Sequence, residues 1–533
     1  MHKVSRFFLP TFILCCLLLG CCTKSRSSPH EKPLKVVFNA EVTILDPRSG
    51  IDNPTTHVIK HLFEGLMRVG LDGKPKEALA ESYEVSEDKL KYTFHLRESY
   101  WSNGDPVTAH DFVYTWRSAV NPKLKSTGAY YLYLLKNAQA IIEGHLPSES
   151  LGVSAPDDKT LIVELENPHP CFLEIVSTTI FYPVNSRLDK ENPSWVTQDN
   201  HQFVCNGPFL LEKHLPQNKI VLKKNPNFWD AKQVPLPEIE IIFITDSITQ
   251  LYMFEKGEID WFGKPFSSVP LDALPTLKKE QKINVIPAAN VSCFFLNTES
   301  PPLNNQKIRK ALALAINREE IAEHFLLTNE QPACAIIPPL FGLKQTNYFK
   351  DHDLELAQQL FAEGLKELNI SKEQFPKLTI RSPSLAVWDK LAQILQSQWA
   401  KNLGVWVKIE SQEWKVHFAN LQQGAYQIGG MGWYFTQRDP LYLLQIFYSK
   451  NDKLNIVKWE NSEYKSLVDV ARKESDWDKR NELLSQAEKM VLDEMLVIPI
   501  YFNTFSYCKN EKLKDVYFSE LCDIDFRWAY FED

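Results

Sequence analysis

A chain of 533 residues with 44% hydrophobic and 12% aromatic content is long and apolar enough for several packed domains. Its formal net charge of −8 argues against non-specific nucleic-acid binding, which needs a basic surface, so no nucleic-acid partner is expected. Beyond residue 21 no apolar run approaches the ~20 residues that span a bilayer, and there is no internal repeat or low-complexity block.

The N-terminus reads as an address. Lys3 and Arg6 precede the apolar run Phe7 to Leu19, the pattern of a secretory signal peptide that is cleaved from the mature chain. The segment ends Leu18-Leu19-Gly20-Cys21, which resembles the lipobox of bacterial lipoproteins. That resemblance implies cleavage before Cys21, acylation of its thiol and a lipid tether to a membrane of the cell envelope, on the periplasmic or extracytoplasmic face, with each buried CH₂ contributing ~0.8 kcal/mol. Residues 22–34 are polar and read as a flexible linker. Cys171, Cys205, Cys293 and Cys334 read as small buried apolar residues; Cys508 and Cys522 are free to pair or not.

In chain order, residues 35–39 predict a short strand, and HLFEGLM within 57–67 predicts a helix. Tyr92, Phe94 and Leu96 alternate with polar residues, so 92–96 is a strand. Residues 101–106 contain Asn103-Gly104, a turn. Thr108, with Asp111 three residues on, caps a helix over 109–118. Residues 151–166 predict a hairpin turning at Asp157-Asp158, and 239–244 a buried strand. Gly257 suits the end of a helix. From Pro301 helices dominate, at 308–325, around 391–403 and at 481–494, with strands near 405–409 and 496–502. The mixture gives an α/β class.

The string LAESYEVSEDKLKYTFHLRESYWSNGDPVTAHDFVYTW, residues 79–116, resembles the family 5 extracellular solute-binding proteins, the oligopeptide and dipeptide receptors of ABC importers. Leu45-Asp46-Pro47 with LFEGL, Asn206-Gly207-Pro208-Phe209, NPNFW at 225–229, GEID at 257–260 and IRKALALAINREEI at 308–321 extend the resemblance over roughly residues 35–530. It implies a two-lobed periplasmic-binding-protein (Venus-flytrap) fold of the large peptide-binding type with an extra inserted domain. The implied partition is 1–21 leader, 22–34 linker, 35–71 plus 196–289 plus 501–533 as lobe I, 72–195 as domain II and 290–500 as lobe III. The implied partners are a peptide or peptide-like ligand and an ABC permease, for a monomeric receptor.

Catalytic signatures are missing. There is no HExxH, no GxSxG, no P-loop around Gly263-Lys264 and no dinucleotide fingerprint at Gly430-Met431-Gly432, so neither an enzyme nor a cofactor is expected. His57 and His61 have the i, i+4 spacing of a metal pair but read more simply as residues on one helix face.

The candidate ligand site is the run from Gly429 to Pro440. Gly430 and Gly432 admit close backbone approach, and Trp433 and Tyr434 supply apolar surface with polar tips. The resemblance implies that this segment lines the cleft. The family's amine-binding aspartate falls at Thr436, which carries no charge. A buried ammonium without a carboxylate partner is costly. Asp439 is a nearby carboxylate, or a cap for the next helix with Pro440 in its first turn. Positions where relatives carry cations for the peptide carboxylate fall at Trp388, Ala313 and Gly430. Trp414 matches the family and reads either as a pocket wall or as a core residue.

Overall fold

The computed structural model describes residues 32–42, 44–49, 52–197, 203–344 and 347–533; the leader, Cys21 and most of the linker lie outside the described residues. An eleven-stranded mixed sheet runs through the molecule. Its order is Val407–Gln412, Leu378–Pro383, Ile428–Tyr434, Asn284–Leu296, Val497–Lys509, Trp261–Gly263, Leu34–Phe38, Glu238–Phe243, Lys219–Lys224 and Phe209–Leu215, with Gln331–Pro332 pairing on Val497–Lys509 off this path. Leu34–Phe38 pairs in parallel with both neighbours, and so does Leu378–Pro383; the other ladders are antiparallel.

The two thirteen-residue strands Asn284–Leu296 and Val497–Lys509 are the longest described, and they join the two halves of this sheet. Their register breaks between Pro287 and Val291, where proline has no N–H to give to a ladder. Beyond the break, alternate side chains enter different cores: Val291, Cys293 and Phe295 go to one, Phe294 and Leu296 to the other. A third and larger core gathers residues from 34–266 with 513–531. It includes the separate four-stranded antiparallel sheet Ala80–Val85, Lys91–Leu96, Thr160–Glu164, Val153–Ser154.

Local chemistry explains many of the elements. Tyr92, Phe94 and Leu96 are the buried side of Lys91–Leu96. Gly104 takes φ +90° in its turn. Thr108 donates its N–H to Asp111 Oδ2 at 3.0 Å, and the helix runs Ala109–Val120. Asp157 Oδ1 accepts from the N–H groups of Lys159 and Thr160, each at 2.8 Å, closing the predicted hairpin.

Three expectations need correction. The helix expected over HLFEGLM instead occupies Asn53–Leu62 and stops at Phe63. Asn206 takes over the next backbone unit, accepting from Glu64 N at 3.0 Å and donating to Glu64 O at 3.2 Å. The helix expected over 308–325 is broken into Gln306–Leu314 and Arg318–Ile321, the second running on as a π-helical segment Ala322–Leu326, because Asn317 caps it by accepting from Glu320 N at 2.9 Å. The strand Glu238–Phe243 is buried only at Ile239 and Ile241, so it alternates rather than being wholly buried.

Candidate ligand-binding site

A cavity of about 190 Å³ lies where four separated stretches meet: the helix Asn53–Leu62, residues 174–180, Thr436-Gln437 and residues 517–523, with Val69 and Tyr131 completing the wall.

Each wall is held by its own sequence chemistry. The Asp52 carboxylate accepts from Thr55 N at 3.0 Å, which caps the helix and aims its first two turns at the cavity. Gly65 leaves the space filled by the Tyr182 ring; a Cβ there would sit 2.5 Å from Tyr182 Cδ1. This close packing seats the stretch that ends at Ile180. The C-terminal wall is tied down by Arg527, fully buried, which donates to Glu64 Oε2 at 2.7 Å and to Asp525 Oδ2 at 2.9 Å. His61 Nε2 accepts from Phe526 N at 3.0 Å.

The charges around the cavity are paired. The Lys60 ammonium meets the Asp523 carboxylate. Glu174, whose pKa is raised by burial, faces Arg438 at 3.2 Å; Arg438 also donates to Glu520 at 2.5 Å and to Gly73 O at 2.9 Å. Among the described residues, the His57 side chain on the wall is buried and unpaired. His57 is 5% exposed, and neither ring nitrogen has a hydrogen-bond partner. Burial pushes its pKa down to about 3, so the ring is neutral. Thr436 Oγ1 is buried beside the Tyr442 hydroxyl, its hydrogen-bonding neighbour.

Of the ligand-binding candidates singled out from sequence, Thr436 reaches this cavity. Gly430, Gly432, Trp433 and Tyr434 lie on the strand that leads into it, Ile428–Tyr434. That strand pairs with Leu378–Pro383 only at Ile428 and Gly429, so beyond Gly429 its sole strand partner among the described residues is Asn284–Leu296. A Cβ added at Gly432 would meet nothing nearer than 3.6 Å, whereas at Gly430 it would stand 2.9 Å from Phe294 Cε1 and 3.0 Å from Trp388 Cε3. The bareness of Gly430 therefore serves packing against Phe294 and Trp388. Tyr434 is well exposed, and Trp433 packs on Tyr442 at 6.0 Å.

Three further residues are away from the cavity wall. Asp439 is 1% exposed and both its oxygens accept from Arg480 at 2.8 Å; Oδ1 also caps Leu441 N at 2.9 Å. Burial alone would raise its pKa, but the guanidinium more than offsets this and holds the carboxyl below the usual range. It is thus a buried ion-pair member and a cap for the helix that follows. Trp388 is buried edge-to-face against Phe294 at 5.7 Å, so an aromatic contact stands where a cation would be needed. Trp414 is not a core residue: it is half exposed and stacks on Phe418 at 5.5 Å. The sequence does not mark His57, Lys60, Glu174 and Asp523 as cavity residues, because they meet only through contacts between distant segments.

His57 and His61 do not form a chelating pair. Nδ1 of His61 bonds His57 O at 2.6 Å and its Nε2 bonds Phe526 N, leaving no free lone pair. Among the described residues no group of three or more His, Cys, Asp or Glu is placed to hold a metal ion. Cys171, Cys205, Cys293 and Cys334 are buried free thiols, and Cys508 and Cys522 are also unpaired. No described helix is long and apolar enough to cross a membrane.

Comparison with known proteins agrees with this architecture. Residues 74–455 match the family of bacterial extracellular solute-binding proteins, family 5 middle. The chain belongs to this family. The solute-binding protein is 39% identical to the oligopeptide-binding protein OppA of Bacillus subtilis over 512 residues, covering 95% of this chain and 94% of that one. It is 33% identical to the dipeptide-binding protein DppE of the same organism, covering 94% and 92%. Its fold matches the unliganded open form of the periplasmic murein tripeptide-binding protein MppA with a TM-score of 0.79 at 27% identity, covering 94% and 97%. It also matches Haemophilus influenzae OppA in complex with RPPGFSPFR, with a TM-score of 0.76 at 28% identity, covering 94% and 99%. The solute-binding protein thus has the two-lobed α/β fold of the large peptide-binding type with an inserted domain, and it is a receptor rather than an enzyme.

Proposed function

We propose that this solute-binding protein captures peptides or peptide-like ligands in the cavity between its lobes and delivers them to an ABC permease, tethered to the membrane through a lipid on Cys21. The observation that carries the reading is the strand edge beyond Gly429, which has no strand partner on one side among the described residues and leads into the cavity at Thr436. An extended peptide needs such an edge for main-chain hydrogen bonds. The lobes are taken as 35–71 plus 196–289 plus 501–533 and 290–500, with 72–195 inserted. Gly432, Trp433 and Tyr434 are the proposed contact residues on the strand. Mass spectrometry of material released by denaturing the purified protein tests the reading. Recovered peptides or peptide-like compounds support it; a protein that carries none and takes up none from a peptide library is instead a surface scaffold that kept the fold.

A second reading concerns the cargo. The uncharged Thr436 lining the cavity favours ligands whose amine is blocked or whose charges lie elsewhere, cell-wall-derived peptides among them. N-terminal sequencing of released peptides separates the two, since blocked ends give no signal.

A further inference from the structure

We infer that His57 is a specificity-determining contact for the bound ligand, hydrogen-bonding an uncharged amide at the cavity wall beside Thr436. The inference rests on the reading of the cavity as the ligand site and names a chemical group that the site selects.

Both ring nitrogens of His57 are buried without partners, although the side chain is on the cavity wall. A neutral imidazole has one N–H and one lone pair. Leaving either unsatisfied carries the desolvation cost of a buried polar group, a cost that a bound group can relieve. The neighbour His61 shows the contrast on the same helix, with both nitrogens bonded to backbone. Packing explains the position of the His57 ring but not its polarity: its edge-on contact with Phe266, at 5.5 Å, would suit a phenylalanine equally well. Because no partner fixes the tautomer, either ring nitrogen can donate to a carbonyl or accept from an N–H. Those are the two faces of an amide.

The surroundings favour a neutral group. Thr436, beside the Tyr442 phenol, lines the same cavity, and its uncharged hydroxyl is likewise donor and acceptor. The carboxylates in reach are already engaged, Asp523 by Lys60 and Glu174 by Arg438. An incoming ammonium would have to compete with these cations.

The test uses the mature full-length chain, a tri- and tetrapeptide library and the same library N-acetylated, with retained peptides read by native mass spectrometry and affinities of the best binders by calorimetry. Wild type should retain acetylated members at least as tightly as free ones. His57→Phe should weaken the best binders tenfold or more at an unchanged melting temperature without peptide. His57→Gln, which keeps a donor and an acceptor without charge, should recover most of the affinity. Unchanged affinity in His57→Phe overturns the inference while leaving the peptide-receptor reading intact. Tenfold weaker binding of acetylated members also overturns it, and places an ammonium on Glu174 and Asp523. Retention of no member of either library by wild type overturns the receptor reading together with the inference.

Discussion

Arg480 grips Asp439 through two hydrogen bonds of 2.8 Å, one to each carboxylate oxygen, with neither side chain more than 2% exposed. The pair lies two residues beyond Gln437 of the cavity wall, and it draws in His169 at 3.5 Å from a distant part of the chain. It commits the carboxylate nearest Thr436 to a structural pair. An acid committed this fully to a guanidinium, away from solvent, is not available to a ligand.

Removing one partner of this pair leaves a buried charge uncompensated. Arg480→Met should destabilise the protein by about 3–5 kcal/mol, read as a fall in the denaturant midpoint at constant slope. Adding Asp439→Leu should return most of that loss. A single variant as stable as wild type would mean that the pair is solvated in solution.

Glu488 gives a pH dependence. It is fully buried, and its Oε1 accepts from the N–H groups of Ile336 and Ile337 at 2.8 Å while Oε2 accepts from the Tyr348 hydroxyl at 2.9 Å. Burial outweighs these bonds and raises its pKa from 4.5 to about 7. Between those values the folded state holds a proton that the unfolded state has lost, so stability falls as pH rises from about 4.5 to about 7. Glu488→Gln should remove this slope. Relative to that variant, wild type should lose on the order of 3 kcal/mol across the window, measured by denaturant melts at pH 5 and pH 7.5. Parallel pH profiles for the two proteins would show that the carboxyl stays ionised.

At the cavity, Thr436→Asp should restore an anchor for a free amine. Free tripeptides should gain tenfold or more in affinity over their N-acetylated forms, by calorimetry. If the variant leaves affinity and end preference unchanged, the loss of the anchor at this position does not govern cargo choice.

The glycines on the cleft strand should separate by their surroundings. Gly430→Ala forces a Cβ between Phe294 and Trp388 and should cost about 1–3 kcal/mol. Gly432→Ala meets nothing nearer than 3.6 Å and should leave thermal stability within a degree or two of wild type. Its effect should fall on peptide affinity, because the added methyl stands on the strand that the peptide is proposed to follow. Equal loss of stability in both variants would contradict the packing described.

The sequence by itself determined the family and most local elements, because these depend on short-range chemistry. The alternation of Tyr92, Phe94 and Leu96, the Thr108–Asp111 cap and the Asn103-Gly104 turn are encoded within a few residues of one another. Thr436 was also legible as an uncharged residue at a position the motif marks, since the motif fixed the frame. The tertiary structure decided what local patterns could not. Asn206, far along the chain, ends the helix at Phe63; Arg480 claims Asp439; Phe294 and Trp388 fill the space left by Gly430. The cavity itself joins His57 and Lys60 to Glu174, Thr436 and Asp523, residues separated by hundreds of positions. Hydrogen bonds and packing between such distant segments leave no periodicity or spacing in the sequence, so only the folded chain brings them together.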